Sequence, residues 1–229
     1  MKRTILLSLS LVVLLLVVGC APQKVVTLQD TYPKMYQNPP VSILILPPIN
    51  KSTAADAKEY FACSLSEAVG MKGYYPLPVE SVFGVLRDEG MYDTENVNLA
   101  VLSNFKKHFG ADAVLFTSIE EWHKSWAVVS GSLTIKAKFA LLSTANADTL
   151  WDFTVKTNVN IESQSSNLLA AAIESAVKTA VEDYFPNCLK ANIMTMDTSM
   201  PYGKHHPSVG TDGINAIPES KYREIEISK

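Results

Sequence analysis

Few side chains in this chain are of a type and spacing that could do chemistry. Ser130-Gly131-Ser132 offers hydroxyl nucleophiles, but no Gly-x-Ser-x-Gly elbow, phosphate-binding loop or Gly-x-Gly-x-x-Gly turn accompanies it. Both serines fall on the polar side of an alternating run, so they read as the wet face of a strand. His205-His206 invites a metal ion. Adjacent residues of an extended segment point opposite ways, however, and no Cys or carboxylate stands beside them at ligand spacing, so no metal is expected. His123, between Trp122 and Trp126 and near Glu120 and Glu121, could handle protons. The blander reading is the twisted end of a strand pair whose rings cap the core. Nothing here assembles a reaction centre. The chain reads as non-enzymatic, with no cofactor.

The cysteine at position 20 carries more information. Lys2 and Arg3 precede an apolar run over 5–18, which as a helix spans about 21 Å, short of the ~30 Å hydrocarbon core. Length and flank suit a secretory signal rather than a membrane-spanning helix. The run ends Val17-Val18-Gly19-Cys20, which resembles the bacterial lipobox, with Val17 where Leu is usual. The resemblance implies cleavage before Cys20, a diacylated thiol and an acylated new amine. More than one acyl chain makes such anchoring stable, each buried methylene contributing about 0.8 kcal/mol. Ala21, rather than Asp, implies the outer membrane by the same resemblance.

The rest of the chain must fold around no such reactive group. Of 229 residues, 47% are hydrophobic and 19% charged, which excludes wholesale disorder. The net charge of −3 speaks against general nucleic-acid binding. Residues 20–40 hold Pro22, Pro33, Pro39 and Pro40 and read as a lipidated tether, with a reach of up to roughly 60–70 Å. The apolar run at 41–46, stopped by Pro47-Pro48, predicts a buried, central, parallel strand. Asn50 opens a loop running to Thr53. A helix over 55–70 follows, with Ala57, Phe61, Leu65 and Ala68 inward. A short edge strand over 74–79, a helix around Val82, Val85 and Leu86, and a helix over 96–109 with Leu99, Leu102, Phe105 and Phe109 inward come next. The run 113–116 reads as another central strand. From Val129 to Leu141, and again from Trp151 to Val159, apolar and polar residues alternate, so 112–160 is an antiparallel meander. A last helix is expected over 166–185, stopped by Pro186. The chain is thus α/β: a single domain over 41–186 whose mixed sheet has an N-terminal parallel βαβ part and a C-terminal antiparallel meander, covered by helices. Residues 1–19 are the lipoprotein signal peptide, and 187–229 an extended C-terminal tail.

Val41-Ser42-Ile43-Leu44-Ile45-Leu46-Pro47-Pro48-Ile49 resembles the opening strand of the CsgG and TolB N-terminal group. Gly73-Tyr74-Tyr75-Pro76-Leu77-Pro78-Val79 and Gly110-Ala111-Asp112-Ala113-Val114-Leu115-Phe116 resemble a narrower family, the bacterial outer-membrane lipoproteins related to a neisserial genome-derived antigen. Pro201-Tyr202-Gly203-Lys204-His205-His206-Pro207 resembles that family's proline-rich C-terminal signature. The resemblance implies a fold like the TolB N-terminal domain. It also implies a periplasm-facing accessory part in envelope assembly or secretion, beside a CsgG-like lipoprotein partner. A self-associating subunit of a lipoprotein complex is the alternative, and an envelope hydrolase a third.

Two further candidate sites follow. Ser130, Ser132, Thr134, Lys136 and Lys138 line a sheet face that no remaining helix obviously covers: either a solvated face or a face for a protein partner. With Cys20 acylated, Cys63 and Cys188 remain, in a compartment where disulfides persist. Cys63 points away from the apolar side of its helix. A bridge to Cys188 would clamp the tail across that helix, and two independently packed thiols are the alternative.

Overall fold

A run without a polar side must be covered on both faces, and in the computed structural model 41–46 is such a strand. Strand β1 (Ser42–Ile45) lies parallel between β3 (Tyr75–Pro76) and β4 (Ala113–Ala127), and Ile43, Leu44, Ile45 and Leu46 are fully buried. The structure describes residues 25–92, 94–96, 102–127, 130–162 and 185–227. The signal peptide and Cys20 lie outside them. So does the helix expected over 166–185, apart from Phe185, and so does Leu99.

With β5 (Ser130–Ser143), β6 (Thr149–Glu162) and β7 (Tyr222–Ile227), the described strands form one mixed sheet in the order β3-β1-β4-β5-β6-β7. A two-residue strand, β2 (Ile49–Asn50), lies alongside β4 where the sequence predicts a loop. Strands β4, β5 and β6 form the expected antiparallel meander. The run at 113–116 is only the first part of a 15-residue strand.

Helices cover the apolar face. Of α1 (Leu28–Thr31), α2 (Pro33–Gln37), α3 (Ala57–Met71), α4 (Val79–Asp88), α5 (Leu102–Phe109) and α6 (Phe185–Ser199), the longest are α3 and α6, which pack on each other. Ala57, Phe61, Leu65 and Ala68 of α3 are buried as their spacing predicts, and the Phe61 ring stacks 6.0 Å from Phe139 of β5. Val82 and Leu86, Leu102 and Phe105 anchor α4 and α5 in the same way.

Both ends of the chain differ from the sequence reading. From Val26 onward the expected tether is folded against the body. Leu28, Tyr32 and Met35 recur at helical spacing and are buried, and the Tyr32 hydroxyl donates to Asp152 O. Pro33 between them splits the segment into α1 and α2 and hides that period. The expected extended tail is instead a helix, a packed loop and the edge strand β7, which runs parallel to β6. Among the described residues helix runs past Pro186, from Phe185 to Ser199. The inward side of α6 carries Asn192, Thr195 and Ser199 beside Ala191 and Met196, so its period is not hydrophobic. Those polar groups are paired: Asn192 Nδ2 donates to Ser64 Oγ of α3 at 2.9 Å, and Thr195 and Ser199 donate to carbonyls one turn back.

Candidate functional site

The second face of the meander is built by register. Strand side chains alternate, so Leu133, Ile135, Ala137, Phe139 and Leu141 of β5 go to the core and are buried. Ser132, Thr134, Lys136 and Lys138 go to the other side, half-buried except for the exposed Lys138. The Ser130 side chain lies outside those described.

Strand β4 breaks the alternation once. Its register slips between Ile119 and Glu121, a bulge that sets Glu120 and Glu121 on the same polar face and returns Trp122 to the apolar one. Each glutamate then sits between two lysines. Glu120 meets Lys51 at 3.0 Å and Lys138 at 3.9 Å, while Glu121 meets Lys136 at 3.6 Å and Lys156 of β6 at 3.3 Å. Burial pushes the Glu120 carboxyl up. Hydrogen bonds from Ser118 and Lys51 and the charges of Lys138 and Lys51 outweigh that and hold it below the usual carboxylate range. Further along the strands Thr134 Oγ1 donates to Asn158 Oδ1 at 2.9 Å, and the Ser125 and Ser132 hydroxyls share a 2.6 Å hydrogen bond. His123, opposite Thr134, is exposed on this face, so Trp122 and His123 lie on opposite sides of a continuing strand rather than capping its end.

The ends of the parallel strands, where open α/β sheets take ligands, are tied up by their own side chains. Asn50 Oδ1 accepts from the amide and hydroxyl of Ser52, and Thr94 Oγ1 donates to Pro47 O. At the opposite, N-terminal ends of β1 and β4, Asp112 Oδ2 accepts from the amides of Val41 and Ser42, and Lys106 pairs with its other oxygen. Burial pushes that carboxyl up, but these partners win and bring it to about 2. A cleft of about 580 Å³ beside the N-terminal helices is lined by Tyr32, Lys34, Asp152 and Lys221, its lysines held by Asp148 and Asp152.

The tail motif, expected from sequence to be solvated or packed on the surface, forms a second polar cluster. Gly203 N donates to Lys72 O at 2.7 Å and His205 N to Gly73 O at 3.1 Å. The Lys72 ammonium, nearly buried, lies 4.0 Å over the Tyr202 ring and 3.6 Å from Asp197, and His206 stacks on Tyr202 at 3.8 Å. Burial lowers the Lys72 pKa, partly offset by Asp197 and Asp212. Asp212, also buried, accepts from Tyr202 N through Oδ2. The Tyr74 hydroxyl donates to Pro201 O at 2.8 Å, and burial followed by the Asp212 charge raises that phenol. The contacts of Lys72, Gly73 and Tyr74 hold the loop to the end of α3 and to the chain leading into β3, while the His206 stacking and the Asp212 acceptor brace the loop internally. Of the two histidines, His206 is engaged by stacking and His205 is exposed.

Cys63 and Cys188 are not bridged. Cys63 Sγ faces Glu80 Oε1 of α4 at 4.0 Å, whereas Cys188 is buried on the inward side of α6. The predicted clamp fails because α6 docks beside α3 through Ser64 and Asn192, while the Cys63 thiol turns towards α4. Burial, then the charges of Glu80 and Glu59, push that thiol up.

Comparison with known proteins gives a consistent result. A family model described as "Putative lipoprotein GNA1162-like" matches residues 30–204. The chain is 25% identical over 171 residues to "Putative lipoprotein NMB1124/NMB1162" of Neisseria meningitidis serogroup B, covering 75% of this chain and 79% of that protein. Among solved structures, the crystal structure of lipoprotein GNA1162 from Neisseria meningitidis matches with 26% identity and a TM-score of 0.47, over 63% of this chain and 100% of that one. The C-terminal domain of LpoB from Salmonella enterica matches with 15% identity and a TM-score of 0.37, over 57% of this chain and 94% of that one.

Proposed function

The chain belongs to the GNA1162-like lipoprotein family, and we propose that it works as a non-enzymatic accessory factor in envelope assembly or secretion, held at the periplasmic side of the outer membrane by acylation of Cys20. It docks a protein partner, a CsgG-like lipoprotein, through the polar face of β4, β5 and β6.

The observation that carries this reading is the face itself. Exposed ion pairs contribute about 0–1 kcal/mol each, so a bulge that gathers two glutamates among four lysines has little value for stability. Its value lies in orientation: fixed rows of charge and hydroxyl groups set the register and choice of a partner. The remainder of the fold supports the face as a rigid platform, since the opposite side of the same strands is packed on the core.

The test is the double substitution Ser132→Arg, Thr134→Glu in the full-length lipoprotein, co-expressed with a CsgG-like lipoprotein. Thermal unfolding should stay within a few degrees of the parent, while co-purified partner falls about tenfold, equivalent to about 1.4 kcal/mol. Unchanged recovery with an intact fold refutes docking through this face. Palmitate-analogue labelling of the same preparation, absent in Cys20→Ser, tests the anchor separately.

A further inference from the structure

The two ends of the chain are zipped together. Leu28 N donates to Asn215 O at 2.9 Å, Gln29 N to Gly213 O at 3.1 Å and Ile217 N to Val26 O at 3.0 Å, and Thr27 and Ala216 form an antiparallel bridge. Leu28 and Ile217 face inward from this zip and are buried. The outward residues are not what a solvated turn calls for. Ile214 is 83% exposed, Val25 63% and Val209 50%. Isolated exposed aliphatics are ordinary, but Val25 and Ile214 belong to the two sides of one terminal zip and Val209 to the loop that feeds it. Lys204 and His205 are exposed in the same loop, while the carboxylate of Asp212 is turned inward to Tyr202 N.

Chain length decides what faces them. Between Cys20 and Val25 the chain can span at most about 17 Å even when fully extended. This step rests on the proposed acylation of Cys20. An acylated Cys20 sits at the bilayer surface, so Val25 stands within that reach of the lipid, and the loop around Ile214 is paired to Leu28 and Gln29 only three to four residues further along. We propose that the loop around Ile214 is a lipid-contacting surface: Ile214 seats in the interfacial layer of the membrane that holds the anchor, and Lys204 of the same loop lies at the level of the headgroup phosphates. Aliphatic side chains with basic neighbours are the composition that partitions into this layer. Tyr32 and Lys34, a few residues on, meet Asp152 and Asp148 beside the end of the sheet where β4 starts and β5 ends, so the Ser125–Ser132 end of those strands lies away from the bilayer.

The experiment uses the full-length, processed lipoprotein reconstituted in phospholipid vesicles with and without lipids brominated near the headgroup end of their chains. Ile214→Trp is compared with the parent, and Ser125→Trp, near the far end of β4, serves as the distal control. Intact mass of the N-terminal peptide is measured on the same sample. The added Ile214→Trp emission should lose about half its intensity in brominated vesicles, a contact depth expected of an interfacial side chain, while the Ser125→Trp increment is unchanged. A diacylated Cys20 with no quenching at position 214 overturns this proposal alone. An unmodified Cys20 overturns the anchor and the proposal together. Emission that shifts to the blue with rising protein concentration, independent of bromine, assigns the surface to a second copy and overturns the lipid assignment.

Discussion

Gly203 approaches the chain leaving α3 so closely that a side chain has no room. A Cβ there would lie 2.6 Å from Gly73 O, 2.7 Å from Gly73 C and 2.9 Å from Tyr74 Cδ1. Two of those atoms are backbone, so no rotamer change relieves the contact and the loop itself must withdraw. Withdrawal loosens the hydrogen bonds from Gly203 N to Lys72 O and from His205 N to Gly73 O. Each contributes about 0.5–1.5 kcal/mol net. Overpacking of this kind costs about 1–3 kcal/mol more. Gly203 itself is not at positive φ, so alanine regains part of that, about 0.4–1 kcal/mol, by restricting the unfolded chain. The expected outcome for Gly203→Ala is therefore a net loss of about 1–5 kcal/mol, centred near 3, in urea unfolding, with faster amide exchange across residues 200–217 and unchanged exchange in β4 and β5. A loss below about 0.5 kcal/mol with unaltered exchange would show that the loop yields freely and would falsify the reasoning.

Two further outcomes follow from the titrating groups. Asp112 is held at about 2 against an ordinary 3.8, so its contribution is present above the unfolded value and is lost as pH falls through the folded one. With the side chain 32% exposed, Asp112→Asn should cost about 1–2 kcal/mol at pH 7, and the gap to the parent should close between pH 4 and pH 2 in urea titrations; a gap independent of pH rejects the charge argument. Cys63 should alkylate slowly in the native protein at neutral pH and faster as pH rises, while Cys188 reacts only on unfolding; a Cys63–Cys188 peptide in a non-reducing map would reject both assignments.

What was readable from the amino-acid order was whatever repeats with a plain hydrophobic period. Ile43 to Leu46 and the alternation from Leu133 to Leu141 announced their strands because burial on two faces, or on one, leaves a mark in residue type. Helix α6 left none, since its inward side is satisfied by hydrogen bonds of Asn192, Thr195 and Ser199 rather than by apolar bulk. The N-terminal helices were masked by Pro33, which begins a new turn between Tyr32 and Met35. Of the polar face, Ser132, Thr134, Lys136 and Lys138 were legible from β5 alone. Lys156 was legible in the same way from the alternation of β6, whereas Glu120 and Glu121 were not, because their place depends on the bulge. The one local trace of it is the three-residue step from Ile119 to Trp122, where strict alternation asks for two. The tail motif was visible as a sequence but not as a docked loop, since the contacts of Gly203 and His206 with Gly73 join residues 130 or more positions apart, which no local period records.

The zip between the chain ends also governs how the molecule bears load. Val26, where the described pairing begins, shares its end of the zip with Ile217, the residue that leads on to β7, so a pull between the N-terminal segment and the sheet loads the Ile217 N to Val26 O hydrogen bond first, and the zip opens from that end one bond after another. Beyond it the load is met by the buried side chains of Leu28 and Tyr32 and by the hydrogen bond from the Tyr32 hydroxyl to Asp152 O of β6. On the other side of the zip the chain enters β7, held along β6 from Thr154 to Val159.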